Sequence, residues 1–362
     1  RSQEYNNVFL PYTWHNNNLD RFKFVQVDLN KNLDKLMDII NDEKPNCIVN
    51  FAALGMVAQS WDKPEDWYET NVVGQVRLHN RIRTLRTLKK YVHVTTPEVY
   101  GSTDGWIGEA EPFSPSTPYA VSRASCDLHL KSFFQAYEFP VVFTRAANVY
   151  GPGQQLYRII PRALISARTG GRLSLHGGGK SVRCFIHIQD VVDATYRIAR
   201  HGNPGETFHI STSDQISIGA LVERIATLTN VSFDDLVEVS QDRLGKDQAY
   251  LLDSKKIRED LGWHDTIRLD TGLQETLAWV DNNLDVLQMH EPGALDVLQE
   301  AEQPERILAH MGLDMHRHAL ARFEPGERAR GATDQIAHPV DVDHGLVGAD
   351  RLDDPLEHAD HA

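Results

Sequence analysis

The chain is poor in the features that mark several large classes of protein. Its 362 residues include three cysteines, Cys47, Cys126 and Cys184, without a CxxC pair or a zinc-type spacing. This excludes a disulfide framework and a metal site coded by spacing, and it fits reduced thiols in the cytoplasm. No apolar run reaches membrane-spanning length and no signal peptide is visible, so no membrane is expected as a partner.

Positive charge is also scarce. Lys and Arg number 37 against 51 Asp and Glu, which gives a formal net charge of -14. An acidic surface argues against nucleic acid as a partner, because phosphate backbones bind to basic surfaces. The balance remains compatible with a local basic pocket for a phosphorylated ligand, as a soluble globular enzyme of this composition could contain.

The C-terminal part of the chain lacks several residue types altogether. Lysine is absent beyond Lys256 and asparagine beyond Asn283, whereas eight of the 17 histidines fall between His290 and His361. The stretch is acidic and short of core residues, so residues 288–362 are expected to form an atypical, disordered tail. Its histidine spacings match no standard metal site, and no metal is expected.

Strand patterns alternate with helix patterns in the first part of the chain, which is typical of an α/β protein with a parallel sheet. The pattern loosens after residue 150 and predicts a first domain over 1–150 and a smaller α/β domain over 151–287. The predicted strands span 22–28, 47–51, 91–95, 141–144, 173–175, 184–188 and 206–210, and helical patterns span 33–41, 67–88, 118–138, 159–169, 191–200, 218–229 and 254–261.

One loop and one helix start carry the strongest chemical signal. The predicted strand 91–95 ends in a loop that contains Thr96 and Glu98, and a later helix begins with Tyr119 and has Arg123 one turn on. Residues four apart lie on one helix face, so the phenol and the guanidinium can share a site. A neighbouring cation lowers the pKa of a phenol, and we therefore expect Tyr119 to act as a general base.

Seven further segments occur in an order that resembles the extended short-chain dehydrogenase/reductase family. The resemblance is greatest to nucleotide-sugar 4,6-dehydratases of the dTDP-glucose and GDP-mannose kind, and it covers 22–283. The segments are VDL at 27–29, NFAA at 50–53, NVVG at 71–74, RAANVYGP at 145–152, VRCFIH at 182–187, GETFHI at 205–210 and LGW at 261–263.

This resemblance implies a Rossmann-like, doubly wound parallel sheet that binds NAD or NADP, followed by a smaller α/β substrate domain. The family's glycine-rich GxxGxxG turn, which brings a pyrophosphate to a helix N-terminus, is absent. The first strand is therefore expected to be missing, as in an N-terminally truncated record of a working enzyme. The implied reaction oxidises C4 of a nucleotide-linked hexose, removes the C5 proton, expels the C6 hydroxyl as water and returns the hydride to C6.

The resemblance also assigns catalytic roles. Tyr119 would take the proton of the 4-hydroxyl, Thr96 would hydrogen-bond the same hydroxyl, and Glu98 would remove the C5 proton. Two positions depart from the family. Arg123 replaces its lysine and, unlike lysine, keeps a fixed charge in a planar fork. Pro97 replaces the aspartate of the dTDP-glucose enzymes, so that Glu98 could also deliver the proton to the leaving hydroxyl.

Ligand-binding residues follow from the same resemblance. The adenine would meet Asp28 and Leu29, and the pyrophosphate and ribose would meet Ala52 and Ala53, with Tyr119 and Arg123 at the nicotinamide end. Tight packing is the alternative explanation for the two alanines, core packing for Tyr119 and a surface ion pair for Arg123. The expected substrate-binding residues are Thr96, Asn148, Arg158, His176, Arg183, Arg243 and Asp247.

Other functions remain open at this point. UDP-glucuronate decarboxylases and nucleotide-sugar 4-epimerases use the same scaffold, although Glu98 argues against a simple epimerase, which needs no C5 base. A non-catalytic sugar-nucleotide-binding relative is the alternative from another class. The family's dimerisation through the tyrosine-bearing helix predicts a homodimer, and the apolar positions Cys126, Leu128, Leu130 and Phe134 permit it.

Overall fold

The computed structural model describes Val8 and residues 22–240, 249–290 and 318–321. Its helices are α1 Leu33–Glu43, α2 Pro64–Tyr68, α3 Gln75–Ile82, α4 Pro118–Tyr137, α5 Ile159–Thr169, α6 Ile188–His201, α7 Ile218–Thr229, α8 Phe233–Leu236, α9 Lys255–Leu261 and α10 Leu269–His290. Its strands are β1 Cys47–Asn50, β2 Lys90–Val94, β3 Trp106–Ile107, β4 Val141–Ala146, β5 Asn148–Tyr150, β6 Leu173–His176, β7 Val182–His187, β8 Thr207–Ile210, β9 Gln215–Ser217, β10 Val237–Ser240, β11 Leu251–Leu252 and β12 His318–Ala321.

The main sheet has the strand order β12-β1-β2-β4-β8. Strands β1, β2, β4 and β8 are parallel, and β12 pairs antiparallel with β1. Parallel neighbours need crossover connections; α3 lies between β1 and β2 in the chain, α4 between β2 and β4, and α6 between β4 and β8. The carboxyl ends of β1 and β2 therefore lie at one edge, and the loops that follow them can build a common site.

Helices cover both faces of this sheet. On one face, the buried residues Ile40, Ile82 and Leu130 of α1, α3 and α4 pack into a core with the strands. On the other face, Ile198 of α6 and Trp263, which follows α9, pack against the opposite sides of the same strands. The doubly wound parallel α/β architecture is thus confirmed.

The second part of the chain builds its own core from α5, α7 and α10, with Leu164, Ile225 and Val280 fully buried. The predicted helices 159–169 and 218–229 are confirmed to the residue, whereas α10 was not predicted. The described residues belong to one compact unit, and the boundary expected at 150/151 stays a prediction. Within the expected tail, α10 extends to His290 and His318–Ala321 forms a strand; the remaining residues lie outside the described ones.

The predicted strand over 22–28 is wrong. These residues are irregular, and no described strand lies beside them to pair with their backbone groups, as a strand requires. The segment ends in a turn in which Asp28 Oδ1 accepts hydrogen bonds from the backbone N–H groups of Asn30 at 2.9 Å and Lys31 at 3.1 Å. This turn leads into α1.

The helical pattern predicted over 67–88 is present but interrupted. A π-helical turn, Glu69–Gly74, joins α2 to α3, which ends at Ile82. Asn71 lies within this π-helical turn and faces the neighbouring α4, where it contacts Ser122. Among the described helices, none is both long and apolar enough to span a membrane.

Candidate functional site

The carboxyl end of β2 positions two of the expected catalytic residues. Thr96 caps a 3-10 turn, Pro97–Tyr100, and its hydroxyl accepts a hydrogen bond from the backbone N–H of Glu98 at 3.3 Å. Proline suits the first position of such a turn because its missing N–H would have no partner there. Thr96 is buried and Glu98 half-buried, so the turn holds both residues at the carboxyl end of β2.

The N-terminus of α4 positions the tyrosine. Thr117 caps the helix by accepting from Ala120 N at 3.1 Å, and the Tyr119 backbone N–H donates to Ser60 Oγ at 3.2 Å. Arg123, one turn later, is buried and its guanidinium donates to the carbonyl of Val94, the last residue of β2. The predicted one-face arrangement of Tyr119 and Arg123 therefore faces the end of β2.

The Tyr119 phenol is hydrogen-bonded by Thr96 and lies within electrostatic reach of Arg123, Glu98 and Arg158. Burial raises its pKa, and it outweighs the lowering by Arg123 and by the Thr96 hydrogen bond, with Glu98 adding a further increase. The expectation of a net lowered pKa is thus wrong in direction, because the charged form loses more hydration than one guanidinium restores. Arg123 still makes the phenol more acidic than burial alone would leave it.

Tyr250 is a site residue that the sequence did not reveal. Its hydroxyl donates to Asn148 Oδ1 at 2.8 Å, and the Arg183 guanidinium lies 4.3 Å from the centre of its ring. Tyr250 is buried, which raises its pKa although Arg183 opposes the shift, and Glu98 and Arg158 act on it as well. Tyr250 therefore contacts both Asn148 and Arg183, the two residues expected to bind phosphate, and also lies near Glu98.

The remaining expected substrate residues divide into three groups. Arg158 precedes α5, and its guanidinium lies 5.2 Å from the centre of the Tyr157 ring. It also interacts electrostatically with Tyr119. His176 ends β6, where its Nδ1 is 2.8 Å from Ser240 Oγ. The third group, Arg243 and Asp247, lies outside the described residues.

On the other side of Tyr119, the loop after β1 is fixed by side-chain hydrogen bonds. Asn71 Oδ1 accepts from Leu54 N at 2.7 Å, and its Nδ2 donates to Leu54 O at 3.1 Å and to Ser122 Oγ at 3.0 Å. Asn50 Oδ1 accepts from Ala52 N at 2.8 Å. The small side chains of this loop are thereby held beside α4; the signal that could have identified Asn71 is its place in the NVVG segment.

The residues present fit a dinucleotide at this edge of the sheet. Arg123 Nε is buried and has no hydrogen-bond partner within the part of the chain that the structure describes, which is the arrangement a ribose hydroxyl would complete. Ala52 is buried and Ala53 half-buried in the fixed loop, so that a ligand can approach the backbone. Asp28 and Leu29 follow the irregular segment 22–27, with the Leu29 side chain in the core.

Comparison with known proteins places this geometry in a family. The profile of the family described as GDP-mannose 4,6 dehydratase matches residues 4–276. The human dTDP-D-glucose 4,6-dehydratase is 31% identical over 273 residues, which are 74% of this chain and 77% of the human protein. The chain belongs to the GDP-mannose 4,6 dehydratase family.

Solved structures agree with this membership. DesIV of Streptomyces venezuelae, a dTDP-glucose 4,6-dehydratase crystallised with NAD and TYD, superposes with a TM-score of 0.67 at 31% identity, covering 72% of this chain and 80% of DesIV. The UDP-glucose 4-epimerase of Thermotoga maritima gives a TM-score of 0.68 at 25% identity over 72% of this chain and 85% of the epimerase. Dehydratases and epimerases thus share the scaffold of this dehydratase-family chain.

A stability prediction follows from Asn71. Replacing Asn71 by Ala in this dehydratase-family chain leaves the buried backbone groups of Leu54 without their side-chain partners, so we expect the free energy of unfolding to fall by about 2–4 kcal/mol. Urea denaturation measures the change. Asn80→Ala is the matched control: Asn80 is exposed and accepts one surface hydrogen bond from Arg83. Equal losses in the two variants would contradict the assigned role.

Proposed function

We propose that this chain is a nucleotide-sugar 4,6-dehydratase that converts a nucleoside-diphosphate hexose to the 4-keto-6-deoxy sugar, with NAD or NADP as bound cofactor. The observation that carries the proposal is the convergence of Thr96, Glu98 and Tyr119 at the carboxyl edge of the sheet, with Arg123 one helical turn from Tyr119 and acting on its phenol. The similar DesIV, named a dTDP-glucose 4,6-dehydratase and crystallised with NAD, supports this reaction and favours NAD.

The cofactor, when bound, supplies the hydride acceptor and donor and, in its oxidised form, a positive charge. Arg123 and Tyr119 would hold its nicotinamide ribose, Ala52 and Ala53 its pyrophosphate, and Asp28 with Leu29 its adenosine. Tyr119, hydrogen-bonded by Thr96, takes the proton of the sugar's 4-hydroxyl. Because burial raises the pKa of this phenol, its deprotonation depends on every nearby positive charge, and Arg123 is the permanent one.

Glu98 performs the second half of the reaction. A ketone at C4 acidifies the C5 proton, so a carboxylate is a sufficient base. Glu98 is half-buried and acts on both Tyr119 and Tyr250, so it lies near the phenol proposed to take the 4-hydroxyl proton and near a residue that contacts the side chains proposed to bind phosphate. With Pro97 beside it in place of an acid, Glu98 is also the group that can return the proton to the departing C6 hydroxyl.

The substrate's diphosphate is proposed to lie against Arg183 and Asn148. A guanidinium pairs with phosphate oxygens through two parallel hydrogen bonds, and Arg183 is held in place by Val182 O at 2.7 Å and by the Tyr250 ring. Arg158 is exposed beside the catalytic group and is proposed to cover the sugar. His176, Arg243 and Asp247 remain proposals for the nucleoside end.

Epimerisation and decarboxylation are the competing reactions on this scaffold. An epimerase inverts C4 and leaves C5 alone, so it has no task for a carboxylate at Glu98. A uronate decarboxylase also needs the 4-ketone, but it breaks the bond to the carboxyl carbon rather than a C5–H bond. The position of Glu98 beside Tyr119 is the specific observation that favours dehydration.

The proposal is tested with full-length protein, NAD and a panel of nucleoside-diphosphate hexoses and hexuronates. Mass spectrometry of the released sugars is expected to show loss of one water from a hexose substrate. Release of carbon dioxide from a uronate, or an isomer of unchanged mass, would replace the dehydratase proposal by one of the two competing reactions. No turnover and no retained cofactor would favour the non-catalytic binding protein.

Arg123 predicts a pH effect with a definite sign. The guanidinium lowers the pKa of the Tyr119 phenol, so removing it in Arg123→Met should move the acid limb of the kcat/KM profile to higher pH, by about 1–3 pH units. Arg123→Lys restores a cation and is expected to keep the limb close to that of the unmodified chain. A limb that is identical in all three proteins would show that the guanidinium does not act on the phenol.

Tyr250 predicts a binding effect. In Tyr250→Phe the ring still packs on Arg183 but the hydrogen bond to Asn148 is lost, so KM should rise about 2–10-fold with little change in kcat. Tyr196→Phe removes a hydroxyl from an exposed ring on α6 and serves as the control. Steady-state kinetics of both variants measure KM and kcat. A decrease in kcat with unchanged KM in Tyr250→Phe would assign Tyr250 to the chemical step instead of substrate binding.

The oligomeric state and the cellular location of the chain are the last parts of the proposal. We propose a homodimer through α4, on which Leu128 and Tyr137 are more than half exposed. Cys126 and Leu130 are buried in the chain's own core and do not contribute to that surface, contrary to the pattern noted in the sequence. A cytoplasmic location fits three buried cysteines that are all free thiols.

A further inference from the structure

A second cluster of reactive side chains lies inside the sheet–helix core and has no part in the proposed reaction. His79 of α3, His93 of β2 and Cys126 of α4 are each at most 1% exposed, and one ligand atom from each lies within 4.8 Å of the other two. They come from three different elements, and the residues are 14 and 33 positions apart in the chain. No spacing motif could therefore have revealed them.

His93 of this cluster and the adjacent Asp127 have buried polar atoms that the described residues leave without a hydrogen bond. Both ring nitrogens of His93 and the Oδ1 atom of Asp127 are buried without a hydrogen-bond partner among the described residues. The closest approach between them, His93 Nε2 to Asp127 Oδ1, is 3.5 Å. Buried polar groups in native proteins almost always have partners, so a histidine left in this state points to a ligand that supplies them.

We propose that His79, His93 and Cys126 form a buried binding site for a thiophilic d10 cation, Zn²⁺ or Cu⁺. Two imidazoles and a thiolate are the donor set that such cations select. Metal–nitrogen bonds of about 2.0–2.1 Å and metal–sulfur bonds of about 2.3 Å put donor atoms roughly 3.3–3.8 Å apart. The three groups would need to close by about an ångström around the ion.

The surroundings of His79 support a ligand role. Its Nε2 is 2.8 Å from the hydroxyl of Tyr91, which also receives a hydrogen bond from Asn50 Nδ2 at 2.5 Å. Metal-binding histidines typically hold the ring by a hydrogen bond from the second nitrogen, and the contact between His79 and Tyr91 is a contact of that kind. The ring of His129 stacks on His79 at 5.5 Å and limits its rotation.

Charge distinguishes the two candidate ions. The guanidiniums of Arg123 and Arg145 both act on His93, and Arg145 is paired with Asp127 at 2.6 Å. Replacing the thiol proton by Cu⁺ adds no net charge to this buried region, whereas replacing it by Zn²⁺ adds one positive charge. Low-dielectric surroundings with two cations disfavour the added charge, so Cu⁺ is expected to bind more tightly than Zn²⁺ unless Asp127 Oδ1 also coordinates.

The test uses full-length protein under anaerobic, reducing conditions, titrated separately with Cu⁺ from a chromogenic competitor and with Zn²⁺, and also loaded with Co²⁺ as a spectroscopic probe. The unmodified chain should show a sulfur-to-cobalt charge-transfer band and bind one cation that Cys126→Ala and His79→Leu bind at least ten-fold more weakly. Cys184→Ala, which removes a different buried free thiol, should keep both signals. Circular dichroism verifies that each variant is folded.

The outcomes are decisive in both directions. Equal Cu⁺ binding by the unmodified chain and Cys126→Ala would assign the metal to surface histidines and overturn the proposal, as would the absence of Cu⁺ binding by folded, unmodified protein. If Cys126→Ala fails to fold, His79→Leu supplies the same comparison. None of the three residues is assigned to the proposed dehydration, so metal binding tests this site separately from that reaction.

Discussion

Tyr119→Phe is expected to reduce kcat by about 10²–10⁴-fold, the usual contribution of a positioned general acid or base. The substitution keeps the ring that packs with Leu54 and Trp67 and removes only the hydroxyl that Thr96 hydrogen-bonds. Both the first oxidation at C4 and every later step depend on it, so dehydration and exchange of the C5 proton should fall together. Steady-state turnover and proton exchange, measured on the same nucleotide sugar, check this.

Tyr137→Phe is the matched control for this variant. Tyr137 ends the same helix, α4, and its ring is 53% exposed, so removing its hydroxyl should leave kcat unchanged and alter stability by less than about 0.5 kcal/mol. A Tyr119→Phe protein that retains nearly full turnover would show that another group takes the proton of the 4-hydroxyl.

Glu98→Gln is expected to separate the two halves of the reaction. The amide preserves the shape of the side chain but cannot accept a proton, so loss of water should fall by about 10²–10⁴-fold while oxidation at C4 persists. In deuterated water the unmodified chain should incorporate deuterium at C5 of its product, and the variant should not. Nuclear magnetic resonance of the sugar measures this directly.

Glu111→Gln controls for the loss of one acidic side chain, since Glu111 is exposed in the segment between Glu98 and α4. It should incorporate deuterium at the rate of the unmodified chain. Incorporation that survives in Glu98→Gln would assign the C5 proton to a different base, and the distinction from an epimerase would then lose its structural basis.

Hydrophobic spacing predicts much of the fold, because long amphipathic helices contain many repeats of the apolar helical pattern. Helices α5 and α7 were predicted to the residue for this reason. Helix α10 has buried Leu273, Leu277 and Val280 at helical spacing and could have been predicted in the same way. The two-residue strands β3 and β11, which pair with each other, could not, because two residues carry no periodicity.

The error at 22–28 has a different cause. Alternating side chains show that a segment could form a strand, but a strand exists only where a neighbour accepts its backbone hydrogen bonds. No such neighbour lies beside these residues in the described structure. The chain instead closes the segment with the Asp28 turn, a local hydrogen-bond arrangement that competes with extended pairing.

The candidate site could be predicted in part from sequence spacing. Tyr119 and Arg123 share a helix face, a relation that sequence spacing defines, and Thr96 and Glu98 follow a recognisable strand. Burial is not visible in spacing, which is why the direction of the Tyr119 pKa shift was predicted wrongly. Tyr250 could not be predicted from the sequence, because its partners Asn148 and Arg183 are distant in the chain and contact it only after folding.

The most direct test of the central claim is the fate of the hydrogen on C4. A nucleoside-diphosphate hexose that carries deuterium at C4 is incubated with the full-length protein and NAD, and the product is examined by nuclear magnetic resonance. The geometry of Thr96, Glu98 and Tyr119 predicts a 4-keto sugar with the deuterium at C6 and one water lost. Deuterium that remains at C4, in a sugar of unchanged mass, would contradict it.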